Sequence, residues 1–459
     1  MTGVVLTGCH LACGSASPLV KVMRTLIWLA VVPLCGWGQQ PLSVEQAVAL
    51  ALEQNGLIQA GAAAAKSAEA RIAGARGAFL PQVNYSESWQ RSNNQVFVFG
   101  SLLEQKQFTA ANFALDALNN APFLNNFQSQ VIVDQTLWDN GRRKAMIRSA
   151  ELGRDMALQG NRRTEIDVIT SVLRAYYGAL MAREYSRFAA EAVKSAEADL
   201  KRAESRHQAG VTTDADVLSV RVHLAAMRER EIRARFDVEL GLASLNQAMG
   251  VDLDAHYQLT SPLTAAAAPG KATANRPEIL AIEAMRQMGE EQAKAARAAR
   301  LPEFYFRAGF EADRQRFIDR GGANWIASAG LRWNLFNGFA DRARVQEAEH
   351  ETEKTRAQAR TIDSSVKLET RRASLDLQSS GQRIEVANAA VAMAEESLRI
   401  IQNRYEAGLT EVTELLRSET ALLETRTRVL EATRDQRLAA VALEAALGQL
   451  TRNSEVVVH

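Results

Sequence analysis

The chain carries one pattern twice, about 200 residues apart. Arg206-His207-Gln208-Ala209-Gly210-Val211-Thr212 returns as Arg404-Tyr405-Glu406-Ala407-Gly408-Leu409-Thr410. An acid follows each glycine at the same spacing, Asp216 and then Glu414, with Leu218 and Leu416 in register behind them. Upstream, the Arg76…Leu80-Pro81 pattern recurs as Arg297…Leu301-Pro302, and Asp139-Asn140-Gly141 as Phe336-Asn337-Gly338. A repeat of this size makes a pseudo-twofold object, not two unrelated domains. The fold class is therefore whatever one copy encodes.

Each copy reads as helix, two strands, very long helix, tight turn, helix. The first helix is predicted over about 42–79, with Ser43 as N-cap and Leu80-Pro81 as its end. From Gly141 to Gln208 the sequence has no proline and keeps helical periodicity, which predicts roughly 100 Å of helix. Its counterpart runs from Gly338 to Ala407. There Ile384, Ala387, Val391, Ala394, Leu398, Ile401 and Tyr405 form a heptad seam. Val193, Ala196, Leu200, Ala203 and His207 keep that phase in the first copy. Helices this long need a partner along their length. Gly210 and Gly408 suit the left-handed residue that ends a helix, and Thr212 or Thr213, and Thr410, can cap the return helix. Each copy thus closes as an antiparallel helical hairpin with an exposed tip. Residues 251–274 read as a linker, which sets the expected repeats at 39–265 and 266–459.

Composition supports a mostly helical chain: Ala, Glu, Gln, Arg and Leu abound, with only nine prolines. Fifty-four basic residues stand against 53 acidic ones, so no electrostatic case exists for nucleic acid. Residues 1–38 read as an upstream extension plus a secretory signal. Lys21 and Arg24 precede the short apolar run Leu26–Leu34, and Gly36-Trp37-Gly38 offers a cleavage point. All three cysteines lie in this stretch. Cys35 is removed with the signal or carries a lipid, and Met1 and Met23 are both possible starts. No later run of about 20 apolar residues exists to make a membrane-spanning helix.

The strand pairs, about 82–138 and 303–336, discriminate between fold classes. Trp325, Ala327, Ala329, Leu331, Trp333 and Leu335 alternate with more polar neighbours, as do Phe304, Phe306, Ala308, Phe310 and Ala312. Val83, Tyr85 and Trp89, then Val131, Val133 and Leu137, are a weaker version. Such segments fit membrane-spanning strands with Trp325 through Leu335 facing lipid, or a half-buried soluble hairpin. The polar stretch from Ser92 to Phe127 reads as an external loop with room for a short helix.

Together these elements, the paired Leu-Pro, the Asn-Gly at re-entry and the two Ala-Gly-x-Thr tips resemble the outer-membrane efflux protein family, the TolC-like ducts. The resemblance covers about Leu42 to Leu450. It implies a homotrimer whose copies share a 12-stranded β-barrel continued by a long α-helical tunnel. It implies an outer-membrane location with a large periplasmic part, in a bacterium with two membranes. A periplasmic adaptor (membrane fusion) protein and an inner-membrane pump of RND or ABC type would be its partners, outer-membrane lipid its surroundings. Function would be passive exit of small molecules, metals or proteins in tripartite efflux or type I secretion. The competing expectation is a soluble or surface coiled-coil scaffold without a pore.

The resemblance also assigns candidate residues. Glu414 matches an acid that narrows the periplasmic entrance; its alternative is a first-turn acid complementing the helix dipole. The next such position falls on Arg417, and the basic residue used elsewhere in the closed state falls on Thr410. Tyr405 and Asp216 match residues that link neighbouring helix pairs; their alternatives are seam packing and a capping box with Thr213. Arg206, Gly210, Thr212, Arg404, Gly408 and Thr410 form the expected adaptor-docking tips, with the two arginines alternatively serving the helix dipole. No catalytic, cofactor or metal-ligand spacing is found, so no enzyme and no cofactor is expected.

Overall fold

The computed structural model describes residues 40–265 and 276–458. The leader, Cys35 and residues 266–274 of the predicted linker lie outside the described residues. Ser43 caps the first helix as expected. Its hydroxyl accepts from Gln46 N at 3.2 Å, and Gln46 Oε1 accepts from Ser43 N at 2.9 Å, which is a capping box. The single helix predicted over 42–79 is in fact two. Asn55 adopts an extended conformation (ψ 126°), and its side chain accepts from Leu57 N to cap the second piece. The cause is tertiary: Asn55 Nδ2 donates to Ala248 O at 2.9 Å, from the far end of the first hairpin.

The first half runs β1 (Gln40–Leu42), α1 (Val44–Gln54), α2 (Gly56–Gly77), β2 (Gln82–Ser92), α3 (Gln95–Glu104), a 3-10 turn (Ala110–Phe113) and α4 (Leu115–Asn119). It continues with β3 (Leu124–Trp138), α5 (Arg142–Gln208), α6 (Asp214–Met249) and β4 (Tyr257–Leu259). The second half runs α7 (Pro277–Ala298), β5 (Glu303–Arg314), β6 (Gly322–Arg332), α8 (Ala340–Glu406), α9 (Val412–Ala446) and α10 (Glu455–Val458). α5 and α8 are each 67 residues long, about 100 Å of helix at 1.5 Å per residue. α6 packs back on α5, and α9 on α8. The loop predicted to carry a short helix carries α3 and α4, held by edge-to-face contacts among Phe99, Phe108 and Phe113.

The main core lies midway along α5. Leu173, Tyr176, Tyr177 and Leu180 pack with Val48 of α1, Leu245 and Met249 of α6, and Val441 of α9. Beside it β1 and β4 pair in parallel, and Tyr176 Oη donates to Leu42 O at 2.8 Å. Towards the tips the heptad seam is real. Ile384, Ala387, Val391, Ala394, Leu398 and Ile401 are half-buried in a stretch of exposed neighbours, and Tyr405 is buried. His207 departs from the seam: it is exposed and turns to Thr212 O and Asp214.

The second sheet is antiparallel in the order β2-β3-β5-β6. Its register collects one apolar face. Tyr85, Val131, Phe310 and Trp325 form one row across all four strands; Val83, Val133, Ala308 and Ala327 form the next. Phe306 with Ala329, and Phe304 with Leu331, extend the face towards the helices. Opposite residues share a face in an antiparallel pair, so the alternation in the sequence places these side chains together. The other face carries Gln82, Asp134, Arg307 and Ser328 in one row, and Ser86, Gln130, Glu311 and Asn324 in another. The last strand is shorter than the 303–336 pair predicted. Pairing ends at Arg332 opposite Glu303, because Pro302 has no N–H to continue it. Trp333 and Leu335 therefore lie beyond the ladder, and Trp333 Nε1 donates to Arg300 O at 3.1 Å.

Both tips end in the same way. Gly210 (φ +73°) donates to His207 O while Val211 N donates to Arg206 O. Gly408 (φ +74°) donates to Tyr405 O while Leu409 N donates to Arg404 O. This is the paired hydrogen bonding of a Schellman motif. At Gly408 an added Cβ would come no nearer than 3.9 Å to another group, so the constraint is conformational. Gly408→Val should cost at least about 1–2 kcal/mol, and Gly408→Asn clearly less. Chemical denaturation of both variants checks this; equal losses would contradict a left-handed turn.

Candidate functional site

The predicted entrance residues stand at the start of α6 (Asp216), the end of α8 (Tyr405) and the start of α9 (Glu414), and the capping box expected of Thr213 and Asp216 is present. Thr213, not Thr212, caps α6. Its hydroxyl accepts from Asp216 N, and Asp216 Oδ2 accepts from Thr213 N at 3.1 Å and from the Thr212 and Thr213 hydroxyls at 2.8 Å. The Thr213 backbone bond first, then the two hydroxyls, lowers the Asp216 pKa below the ordinary aspartate value. Asp216 makes no hydrogen bond to Tyr405, whose Oη is buried and has no hydrogen-bond partner among the described residues. Thr410 is not a cap either. It occupies the place of Thr212, and the N-cap of α9 is Glu411, which makes no side-chain capping bond.

Arg206 joins the two hairpins. Its guanidinium lies 5.0 Å from the centre of the Tyr405 ring, and Nη1 donates to Tyr405 O at 2.9 Å. Those carbonyls belong to the last turn of α8, where acceptors lack intrahelical donors and the helix dipole favours a cation. Arg206 is thus occupied inside the chain, whereas Arg404, Gly408 and Gly210 are exposed. Glu414, in the first turn of α9, pairs with Arg417 at 2.8 Å. Arg417, which stands at the next position of the expected acidic pattern, thus pairs with Glu414.

A second link between the hairpins was not foreseen. Glu419 of α9, its side chain 9% exposed, lies between Ser195 of α5, whose hydroxyl donates at 2.8 Å, and His223 of α6, whose Nε2 lies at 3.4 Å. Asp199 of α5 is buried beside them and bonded to Arg202. Asp199 Oδ2 has no donor among the described residues. When protonated, Asp199 can donate to Glu419. Burial, then the bond and charge of Glu419, push Asp199 from 3.8 up to about 6. The sequence did hold a signal: Asp199 lies on the apolar stripe of Val193, Ala196, Leu200 and Ala203, where an acid is out of place. Nothing in the sequence named Glu419 as its partner.

At the other end of the chain, Trp325, Ala327, Ala329 and Leu331 are exposed, Trp325 at 81%. Trp333 and Leu335 are exposed beside them. No helix among the described residues is long and apolar enough to cross a membrane.

Comparison with known proteins decides the family. The sequence matches the family described as outer membrane efflux protein over residues 47–251 and 268–449. The chain belongs to this family. Protein CyaE of Bordetella pertussis is 29% identical over 333 residues, covering 69% of this chain and 70% of that one. The pyoverdine export outer membrane protein OpmQ of Pseudomonas putida is 24% identical over 419 residues, covering 88% and 85%. In fold the chain is similar to the Campylobacter jejuni CmeC outer membrane channel, with a TM-score of 0.76 at 16% identity over 90% of this chain and 87% of that one.

This outer membrane efflux protein is accordingly an export channel of the outer membrane in a two-membrane bacterium, with a large periplasmic part. It is not an enzyme. Such channels are the outer components of efflux or secretion systems.

The buried carboxylate pair makes a pH prediction with a definite sign. Because the Asp199 pKa is raised, its stabilisation is full below the ordinary aspartate range and is lost as pH rises through about 6. Arg202, His223 and Glu419 are the charged or titratable groups around it. Asp199→Asn keeps a donor for Glu419 and removes the charge. Its melting temperature should exceed wild type by more at about pH 7.5 than at about pH 5; a constant difference would refute the shared proton.

Proposed function

We propose that three copies of the chain close into a passive exit duct. Each copy contributes four strands to a 12-stranded barrel in the outer membrane, and its two hairpins to a tunnel across the periplasm. The observation that carries this is the exposed apolar face running across β2, β3, β5 and β6 with two free edge strands. Strands of 11, 15, 12 and 11 residues suffice for a tilted crossing, which needs about 9–11. Trp325, Ala327, Ala329 and Leu331 face lipid in this arrangement, with Trp333 and Leu335 at its inner border.

The helices add independent support. Leu218, Val222, Ile232, Phe236 and Leu240 of α6 are exposed, as are Val386, Met393 and Ile400 of α8 at seven-residue intervals. A heptad strip with no partner in its own chain suits a neighbouring copy. The two units repeat as 39–265 and 266–459, behind an extension and leader at 1–38.

The tips face a periplasmic adaptor, with Arg404, Gly408, Thr410, Gly210 and Thr212 offered to it. Arg206 serves the closed tip from inside, together with Tyr405 and Asp216. Beyond the adaptor stands an inner-membrane pump of RND or ABC type. Cargo falls among small molecules, metals and proteins; the export of pyoverdine in the name of the OpmQ relative keeps small molecules within that range. Glu414 gives the entrance its negative charge, reduced by Arg417.

Purified protein should run as a heat-sensitive trimer and give small conductances in a planar bilayer. Arg417→Ala should raise cation preference, and Glu414→Ala should lower it, since a narrow ring of like charges focuses potential. A chain that stays monomeric and soluble without detergent would overturn the barrel. Unchanged selectivity in both variants would remove this pair from the entrance.

A further inference from the structure

The ladder end furthest from α5 and α8 holds a cluster that the duct does not require. Glu104 ends α3, and Glu311 and Asp313 lie near the end of β5. One carboxylate oxygen from each lies within 4.8 Å of the other two. α3 is held hard against the start of β6: a Cβ on Gly322 would come 1.6 Å from Glu104 O. The contact is therefore built into the fold, and Glu104 is not a chance neighbour on a loose loop.

Three carboxylates at this distance repel one another, and no ion pair relieves them. Arg314 and Arg307 on the same strand pair with Glu87 and Asp134 instead. Lys106, two residues past Glu104, is exposed, and among the described residues no basic nitrogen lies within 4.0 Å of the three acids. Asp313 is 0% exposed. Its Oδ1 accepts from Asn126 Nδ2 at 2.6 Å, but among the described residues its Oδ2 has no donor other than a proton shared with Glu311. Glu311 accepts from Gln128 and Gln130 at 2.9 and 3.1 Å, which orients it. Gln105 Oε1 is a further buried oxygen without a partner; its Nε2 donates to Asn126 Oδ1, so it belongs to the same network.

Uncompensated buried carboxylate oxygen is costly unless something positive meets it. A calcium ion sits 2.3–2.6 Å from its oxygen ligands, so two ligands on one ion lie at most about 5 Å apart. Three oxygens within 4.8 Å satisfy that limit. Magnesium needs about 2.1 Å and a near-ideal octahedron, which three oxygens on two separate elements fit less well.

We propose that Glu104, Glu311 and Asp313 form a calcium site that staples α3, and with it the loop from Gln95 to Asn119, to the end of β5. Water and neighbouring carbonyl groups complete the oxygen shell. The site rests on the fold alone. Only its position on the outer side of the membrane, at the mouth of the barrel, rests on the duct reading. A negative conductance experiment would leave the site standing, and a negative calcium experiment would leave the duct standing.

The test uses the full chain in detergent, stripped with a chelator and dialysed against radioactive calcium chloride. One ion per chain is expected, with a Kd of about 10⁻⁴–10⁻³ M, the range of extracellular calcium modules. Glu104→Gln lies on a surface helix and leaves the sheet intact; it should weaken binding by about tenfold or more. Asp313→Asn should abolish it. Glu353→Gln, an exposed acid on α8, should leave it unchanged. Calcium should also slow protease cleavage between residues 95 and 119 in wild type and not in Glu104→Gln. Absence of saturable binding up to about 10 mM, or equal binding by wild type and Glu104→Gln, overturns the proposal. So does equally tight binding of magnesium chloride.

Discussion

β2 and β6 each leave one row of backbone N–H and C=O groups without a strand partner among the described residues. In water such an edge is tolerable. Against hydrocarbon each unpaired group costs several kcal/mol, which is why only closed sheets and helices cross bilayers. The sheet of this chain therefore carries two opposed demands. Its apolar face, with Trp325, Phe310 and Tyr85 exposed, is suited to lipid, while its edges exclude it from lipid until they are paired. Only further strands joined edge to edge meet both demands, and a four-stranded contribution closes when several copies supply it. The same copies can cover the strips on α6 and α8 that are exposed among the described residues. In the proposed duct, barrel and tunnel would answer both deficits at once.

Much of this was legible because the deciding signals are local. A period of two placed the apolar face, and a period of seven placed the seam from Ile384 to Tyr405. Two glycines at φ near +73° ended the long helices where the sequence said they should end. What the sequence hid depends on contacts across great separations. The break at Asn55 is fixed by Ala248 and by the close approach of Gly250, whose added Cβ would lie 2.8 Å from Asn55 Cα. The end of β6 at Arg332 lies opposite Glu303, the first residue of β5, directly after Pro302. Thr410 repeats Thr212, but the N-cap of α9 is the next residue, Glu411, which makes no side-chain capping bond. The cluster of Glu104 with Glu311 and Asp313 forms because a polar loop folds back on the sheet, and neither periodicity nor a ligand-spacing motif records such a return.

The junction between sheet and helices shows how the two halves are made one body. Asn140 adopts a left-handed conformation (φ 55°), and its Nδ2 donates to Pro302 O at 2.7 Å. The Asn-Gly of the first half is thereby bonded to the Leu-Pro of the second. Arg143 is buried on Asp139 at 2.9 Å and stacks 4.3 Å from the Phe79 ring. The recurring motifs are thus not independent turns. They are the points at which one repeat meets the other.

Towards the tips the hairpins are held by two kinds of contact with different mechanical character. The seams are built from Ala, Val, Leu and Ile, and a heptad surface resists a slip of one repeat only weakly, because the same holes recur along it. Arg206 on Tyr405 O, and Ser195 with His223 on Glu419, have no such second position. Breaking them in a dry interface would leave a buried charge, which is strongly unfavourable. Breaking them as the hairpins part is different, because water enters the gap and takes over the hydrogen bonds. In the duct reading, the polar contacts therefore define the closed register without preventing its release. They oppose sliding, which keeps them buried, more than separation, which hydrates them.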